Sequence, residues 1–196
     1  MANGLGSLNI FDIDDTLYKS LALIRVLNDG KIVKKLSPGE FNTYKLKTGE
    51  VFDFSEFRSA DIFYKTGKPI KAMIAKARMI VKNQGPMSKT ILLTARSNFD
   101  DKNLFLKRFR DNGFPIDQVY VERGGNISEK YGLSVEAAKA KILDKYLMTG
   151  KFNKVRMWDD HAGNLDKILE LNKKYPNVTI EAYRVVSDSG NTTRYR

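Results

Sequence analysis

Four short apolar runs, separated by helical repeats, do most to limit what this chain can fold into. The runs are Ser7–Ile13, Thr90–Thr94, Gln118–Val121 and Lys154–Trp158, and each has the length of a buried strand. Between them, Pro69–Asn83 places Ile70, Met73, Ile74, Ala77, Ile80 and Val81 on one helical face, with proline at its start. Asp100–Asn112 opens on two aspartates, turns Leu104, Phe105 and Phe109 inward, and stops before Gly113. Ser134–Thr149 runs from an N-capping serine to Gly150, and Ala162–Tyr175 uses Leu165, Ile168 and Leu169 before meeting Pro176. Val178–Val186 offers a fifth strand, at an edge. Such alternation predicts an α/β fold: a mostly parallel sheet of about five strands, covered on both faces by helices.

One stretch breaks the alternation. Residues 18–68 read as a β-rich or irregular insert within a single domain spanning 1–196. Asn28-Asp29-Gly30, between Ile24–Leu27 and Lys31–Lys35, is a hairpin signal. Beyond it Phe41, Tyr44, Phe52, Phe54, Phe57, Phe63 and Tyr64 read as a small satellite core, the other reading being a stacking surface for a base or sugar. The insert follows the most acidic strand end directly and is placed to cap it. Residues 187–196 are polar and basic and read as a flexible tail.

Composition excludes several chemistries. There is no cysteine, hence no disulfide, thiolate metal site or cysteine nucleophile. No apolar stretch is long enough to span a bilayer, and the first apolar run leads into aspartates instead of a cleavage site, so a cytoplasmic protein without membrane partners is expected. Lys and Arg total 34 against 23 Asp and Glu, a net charge of +11, which favours nucleic acid, nucleotides or another polyanion as a partner. The basic residues are scattered, however, and a solvated surface is the simpler account of them.

The strand ends carry the chemistry. Ile10-Phe11-Asp12-Ile13-Asp14-Asp15-Thr16-Leu17 passes from an apolar run into three carboxylates. If the strand reached Ile13, Asp12 and Asp14 would point to the same side at its carboxyl end, where open α/β sheets bind ligands. A turn that merely caps a helix is the alternative. Close carboxylates repel and invite a proton or a divalent cation, and a pair suits a nucleophile with a proton carrier. Ile91-Leu92-Leu93-Thr94-Ala95-Arg96 ends in a hydroxyl and a guanidinium, both able to hold phosphoryl oxygens. Val155-Arg156-Met157-Trp158-Asp159-Asp160 closes with another carboxylate pair; the two clusters together offer the hard oxygens an octahedral Mg²⁺ needs. Lys139 shares the helical stripe of Ile142, Leu143 and Tyr146, whereas Lys141 falls on the face of Asp144, Lys145 and Met148. A lysine on an apolar stripe otherwise snorkels to water.

This set resembles the haloacid dehalogenase-like superfamily: Asp12-Ile13-Asp14-Asp15-Thr16-Leu17 is similar to its first motif, Thr94 to the second, Lys139 to the third and Asp159-Asp160 to the fourth. Lys130 and Lys141 are alternatives for the third. The resemblance implies a doubly wound, Rossmann-like sheet and a Mg²⁺-dependent phosphatase. It implies Asp12 as nucleophile forming an aspartyl-phosphate, Asp14 as general acid and base and a main-chain metal ligand, and Thr94 and Lys139 as phosphoryl holders. Asp12 and Asp159 would bind the metal directly, with Asp160 a ligand through water or a partner of Lys139. A carboxylate at Asp14 argues against dehalogenation, and the β-rich insert against mutases. The Thr94-Ala95-Arg96 turn and the Lys139–Asp160 segment are loosely similar to the phosphatase domain of phage polynucleotide kinase phosphatases and related RNA-repair domains, without a kinase P-loop. That implies a nucleotide or nucleic-acid 3′-phosphate as substrate, with Arg96 contacting it; a sugar or metabolite phosphate, or a nucleic-acid-binding protein on this scaffold, are the alternatives. His161, the only histidine, and Trp158, the only tryptophan, read as a loop residue and a core residue.

Overall fold

The first apolar run becomes β1 (Gly6–Phe11), an interior strand of a six-stranded sheet in a computed structural model that describes residues 5–41 and 43–196. There follow β2 (Tyr18–Lys19), β3 (Ile24–Asn28), β4 (Lys31–Leu36), α1 (Pro38–Phe41), β5 (Glu50–Asp53), α2 (Ser55–Arg58), α3 (Ala60–Thr66), β6 (Lys68–Pro69), α4 (Lys71–Asn83) and β7 (Lys89–Thr94). Then come α5 (Lys102–Asp111), β8 (Tyr120–Arg123), α6 (Gly124–Tyr131), α7 (Val135–Leu147), β9 (Phe152–Asp159), α8 (Ala162–Leu169), β10 (Thr179–Val185) and β11 (Thr192–Arg194).

The sheet order is β11-β10-β9-β1-β7-β8, and every neighbouring pair is parallel except β10 with β11. The chain is therefore α/β with a mostly parallel central sheet flanked by helices. It has six strands, not about five; the extra one, β11, lies within residues 187–196 and pairs with β10 through Val185↔Thr192 and Tyr183↔Arg194. Alternation along the strands splits the core into two apolar layers. On one face Phe11, Leu92 and Trp158 pack against Met73, Ile74 and Ala77 of α4 and Phe105 and Phe109 of α5. On the other, Leu8, Ile10, Ile91, Val155 and Met157 meet Ile142, Leu143 and Leu147 of α7 and Leu165 and Ile168 of α8.

Boundaries shift where local chemistry competes. The strand expected at Gln118–Val121 starts at Tyr120, because Ile116–Gln118 form a 3-10 turn after Pro115. The last helix stops at Leu169 and passes into a 3-10 turn over Glu170–Lys173. Helix α6 has no counterpart in the sequence reading, since Gly124-Gly125 lowers the propensity of its first turn.

The insert hangs from a two-stranded stem in which Tyr18↔Pro69 and Lys19↔Lys68 are antiparallel partners. Its sheet, β4-β3-β5, is antiparallel, and the hairpin at Asp29-Gly30 has positive φ at both residues (48° and 75°), as a type I′ turn requires. The aromatics divide. Phe41, Tyr44, Phe52 and Phe57 pack on Ile24, Val26 and Leu36 in a satellite cluster, whereas Phe63 on α3 enters the main core beside Phe105 and Phe109. No helix among the described residues is long and apolar enough to cross a membrane.

Trp158 stacks between Phe11 at 4.4 Å and Tyr183 at 5.2 Å, joining three neighbouring strands across one face. Trp158→Ala is expected to remove about 3–5 kcal/mol of stability, to be measured as a lowered urea midpoint with unchanged slope.

Candidate active site

Going along the chain, the sheet grows from β1 through β7 to β8 on one side, then through β9 and β10 on the other. Strand order thus reverses at β1, and the crevice at the carboxyl ends of β1 and β9 is the place where such sheets bind ligands. Asp12 and Asp159 stand there.

Asp12 follows β1 and its backbone N–H donates to the Trp158 carbonyl at 3.0 Å, so the strand end is held to β9. Asp159 is the last residue of β9 and is fully buried. It accepts from the His161 backbone N–H at 2.9 Å and from Asn164 Nδ2 at 2.9 and 3.0 Å, both at the start of α8. Lys139 lies on the inward stripe of α7, only 1% exposed, and its Nζ donates to Asp12 Oδ1 at 2.7 Å and Asp159 Oδ2 at 2.8 Å. Lys130 and Lys141 are exposed. Helical phase separates Lys141 from Lys139 on α7, and Lys130 lies on α6.

Carboxylate oxygens of Asp12, Asp159 and Asp160 all lie within 4.8 Å of one another. Burial raises the Asp12 pKa well above the usual carboxylate range; Lys139 opposes this, and Asp159, Asp160 and Asp14 add to it. Burial, then the neighbouring Asp159 and Asp15, push Asp160 up to about 7. At Lys139 burial opposes the charge, but Asp12 and Asp159 outweigh it and hold the amine above the usual lysine range. Of the three clustered carboxylates, two are therefore paired with one buried cation and Asp160 is not. The donor set is all hard oxygen and short of positive charge, which fits a small divalent ion such as Mg²⁺ better than a soft metal. No family model, curated protein or solved structure matches this chain.

Asp14 lies near enough to Asp12 for its charge to act on it, but it takes a different partner. The strand ends at Phe11, and the chain turns through Asp15 at a φ of 55°, so the period-two rule that put Asp12 and Asp14 on one side no longer applies. Asp14 is instead gripped by Arg96: Nε donates to Oδ2 at 2.8 Å and Nη2 to Oδ1 at 2.6 Å. Arg96 is 3% exposed. Its remaining bonds go to Ser20 Oγ and the Phe57 carbonyl, both at 2.8 Å, and its guanidinium lies near the rings of Phe57, Phe63 and Phe99. The bidentate partner of Arg96 here is thus a carboxylate of the chain itself.

Thr94, fully buried at the end of β7, accepts from the Arg96 backbone N–H at 3.1 Å, which fixes the turn between them. Asp160 does not reach Lys139 with a hydrogen bond; its carbonyl accepts from Arg184 Nε at 3.2 Å. His161 is half-exposed beyond the cluster, 4.0 Å from Glu136. Three supports escaped the sequence reading. Asn164 orients Asp159; its signal was an amide one turn into the helix after the carboxylates. Thr16 is fully buried with an unpartnered hydroxyl beside the acidic loop. Gly125 is the third: a Cβ there would sit 2.5 Å from the Ala95 carbonyl, so only glycine lets α6 seat the turn after Thr94.

Lys139→Met leaves Asp12 and Asp159 buried without their cation, and a loss of about 3–5 kcal/mol is expected at pH 8. The same urea titration at pH 5 should show a smaller deficit, since a carboxylate whose folded pKa is raised favours the fold at low pH. Asp160 carries a separate prediction. Its folded value near 7 exceeds its ordinary 3.8, so protons bind the folded state more tightly between those values. Metal-free stability should fall as pH rises through 7, and Asp160→Asn should flatten that slope in melts recorded with EDTA.

Proposed function

We propose that this chain is a Mg²⁺-dependent phosphomonoesterase on a doubly wound, Rossmann-like scaffold of the haloacid dehalogenase type. The observation that carries the reading is the buried Lys139 bonded at once to Asp12 and Asp159, with Asp160 completing a carboxylate cluster within 4.8 Å. A cluster of that charge in the crevice of an α/β sheet has no packing rationale. Asp12, Asp159 and Asp160 would hold the metal ion, which when bound supplies positive charge against the phosphoryl oxygens.

In this reading Asp12 attacks phosphorus, the bond to the leaving oxygen breaks, and an aspartyl-phosphate forms. Asp14 gives a proton to the leaving oxygen, then takes one from the water that hydrolyses the intermediate. To do so its carboxylate must slip at least one of the two Arg96 bonds. Arg96 then acts as the residue that parks Asp14, a different part from the substrate contact that the motif implies. Lys139 neutralises Asp12 and Asp159 and steadies the charge that builds on the phosphoryl group; the Thr94 hydroxyl offers a further contact. The net charge of +11 supports a nucleotide or nucleic-acid 3′-phosphate as substrate, ahead of a sugar or metabolite phosphate.

The test is a hydrolysis screen of p-nitrophenyl phosphate, nucleotides and 3′-phosphorylated oligonucleotides, with Mg²⁺ and with EDTA. Turnover should require the metal, and Asp12→Asn should lower it by on the order of 10³-fold or more. Activity that survives this substitution would remove Asp12 from its assigned part.

A further inference from the structure

A row of polar side chains crosses the α4 face of the sheet near its amino edge, at the opposite end of the strands from the acidic crevice. Asn9 on β1 is flanked in register by Thr90 on β7 and Arg156 on β9, so all three point to the side that carries Phe11, Leu92 and Trp158 two residues further along. Asn9 is 1% exposed and Arg156 is half-buried. Thr90 is satisfied, its hydroxyl donating to Gln84 Oε1 at 2.7 Å. The other two are not: Asn9 Oδ1 and Arg156 Nε are buried without hydrogen-bond partners. Buried polar atoms are ordinarily paired, and those left open call for a reason.

Both groups line one cavity of about 310 Å³, whose walls include Ser7, Asn9, Ile80, Asn83, Ser88 and Arg156. Ile80 and Asn83 belong to the last turn of α4, which packs on this same face of the sheet, so the lining converges from helix and strands together. Asn83 is exposed, which puts the cavity at the surface. Its wall holds one cation and no acid. Glu181, the register neighbour of Arg156 on β10, is already engaged by Lys154 at 2.9 Å and by the Tyr183 hydroxyl at 3.0 Å. Among the described residues no carboxylate pairs with Arg156. Asn9 precedes Asp12 by three residues, about 10 Å along the strand, so the cavity is separate from the crevice.

We propose that this cavity binds inorganic phosphate in its hydrogen phosphate form. Arg156 donates side-on, through Nε and the adjacent Nη, to two anionic oxygens, and the P–OH group donates to Asn9 Oδ1. Each open atom thereby gains the partner it lacks. A carboxylate, a sulfate or a fully ionised ester has no proton to give Asn9. Phosphomonoesters lose their last phosphoryl proton at about pH 6, whereas inorganic phosphate keeps one P–OH at pH 8. On the phosphatase reading the same ion is the product of the reaction; the cavity itself, at the other end of β1, does not depend on that reading.

Titration of inorganic phosphate into the full chain at pH 8, in EDTA and at constant ionic strength, tests this. Without metal the acidic crevice repels anions and does not compete. Trp158, the only tryptophan, serves as the fluorescent readout, because Arg156 Cζ lies 6.0 Å from its ring; calorimetry supplies a second. Saturable binding is expected, weakened about tenfold in Arg156→Gln, as loss of one charge-assisted contact does. Asn9→Asp places a carboxylate beside Arg156 from within and should abolish binding. In the wild type, sulfate should bind about tenfold more weakly than phosphate. No saturable phosphate binding by calorimetry overturns the proposal and leaves a water between Asn9 and Arg156 as the account of the open atoms. Undiminished binding in either folded variant, or equal affinity for the two ions, overturns it as well. The comparison of ions needs no substitution, so it decides the matter even where a variant fails to fold. A negative phosphatase screen leaves each of these outcomes unchanged.

Discussion

One buried amine holds this molecule's rim together. Lys139 reaches from α7 to carboxylates that end β1 and β9, so a single side chain joins a helix to two neighbouring strands. Burying three charged groups is expensive, and such a contact persists only where each charge is met by geometry of this quality. Asp159 is further steadied by a backbone N–H and by Asn164, which makes it the fixed post of the group. What the amine does not do is balance the acids. Asp160 makes no hydrogen bond to it, and the crevice keeps a surplus of carboxylates.

A second buried cation divides the labour. Arg96 takes Asp14 with both oxygens and spends its other donors on Ser20 and the Phe57 carbonyl. The acids that were adjacent in sequence are thereby sorted into two sets, Asp12 with Lys139 and Asp14 with Arg96. Because one hydrogen bond of Arg96 ends on the insert, the position of the insert and the position of Asp14 are mechanically linked.

Much of this was readable from the chain, and the reasons are local. Short apolar runs ending in carboxylates located β1 and β9, and the helical phase of Lys139 put it on the buried stripe because one helix face meets one sheet face. What was not readable depends on contacts distant in sequence. Asp14 and Arg96 are partners across 82 positions, and no pattern within either segment announces the other. Strand periodicity could not show this partner, because the strand ends at Phe11 and the chain then turns at Asp15. Helix α6 was hidden by its two glycines, and the open atoms of Asn9 and Arg156 are a property of three dimensions only.

The insert is fastened to the rim through main chain and side chains together. Arg96 bonds the Phe57 carbonyl, the Asp100 N–H bonds the Arg58 carbonyl, and the Ala60 N–H bonds the Asp100 carboxylate. Side chains add to it: Phe63 and Tyr18 enter the central core, Ser20 Oγ accepts from Arg96, Arg58 pairs with Glu129 at 2.7 Å, and the Tyr64 hydroxyl donates to Asp111 at 2.8 Å. Main-chain groups are the same whatever residue carries them. Mutation can therefore rewrite the outer face of this appendage while its seat stays unaltered, provided that these side chains are spared.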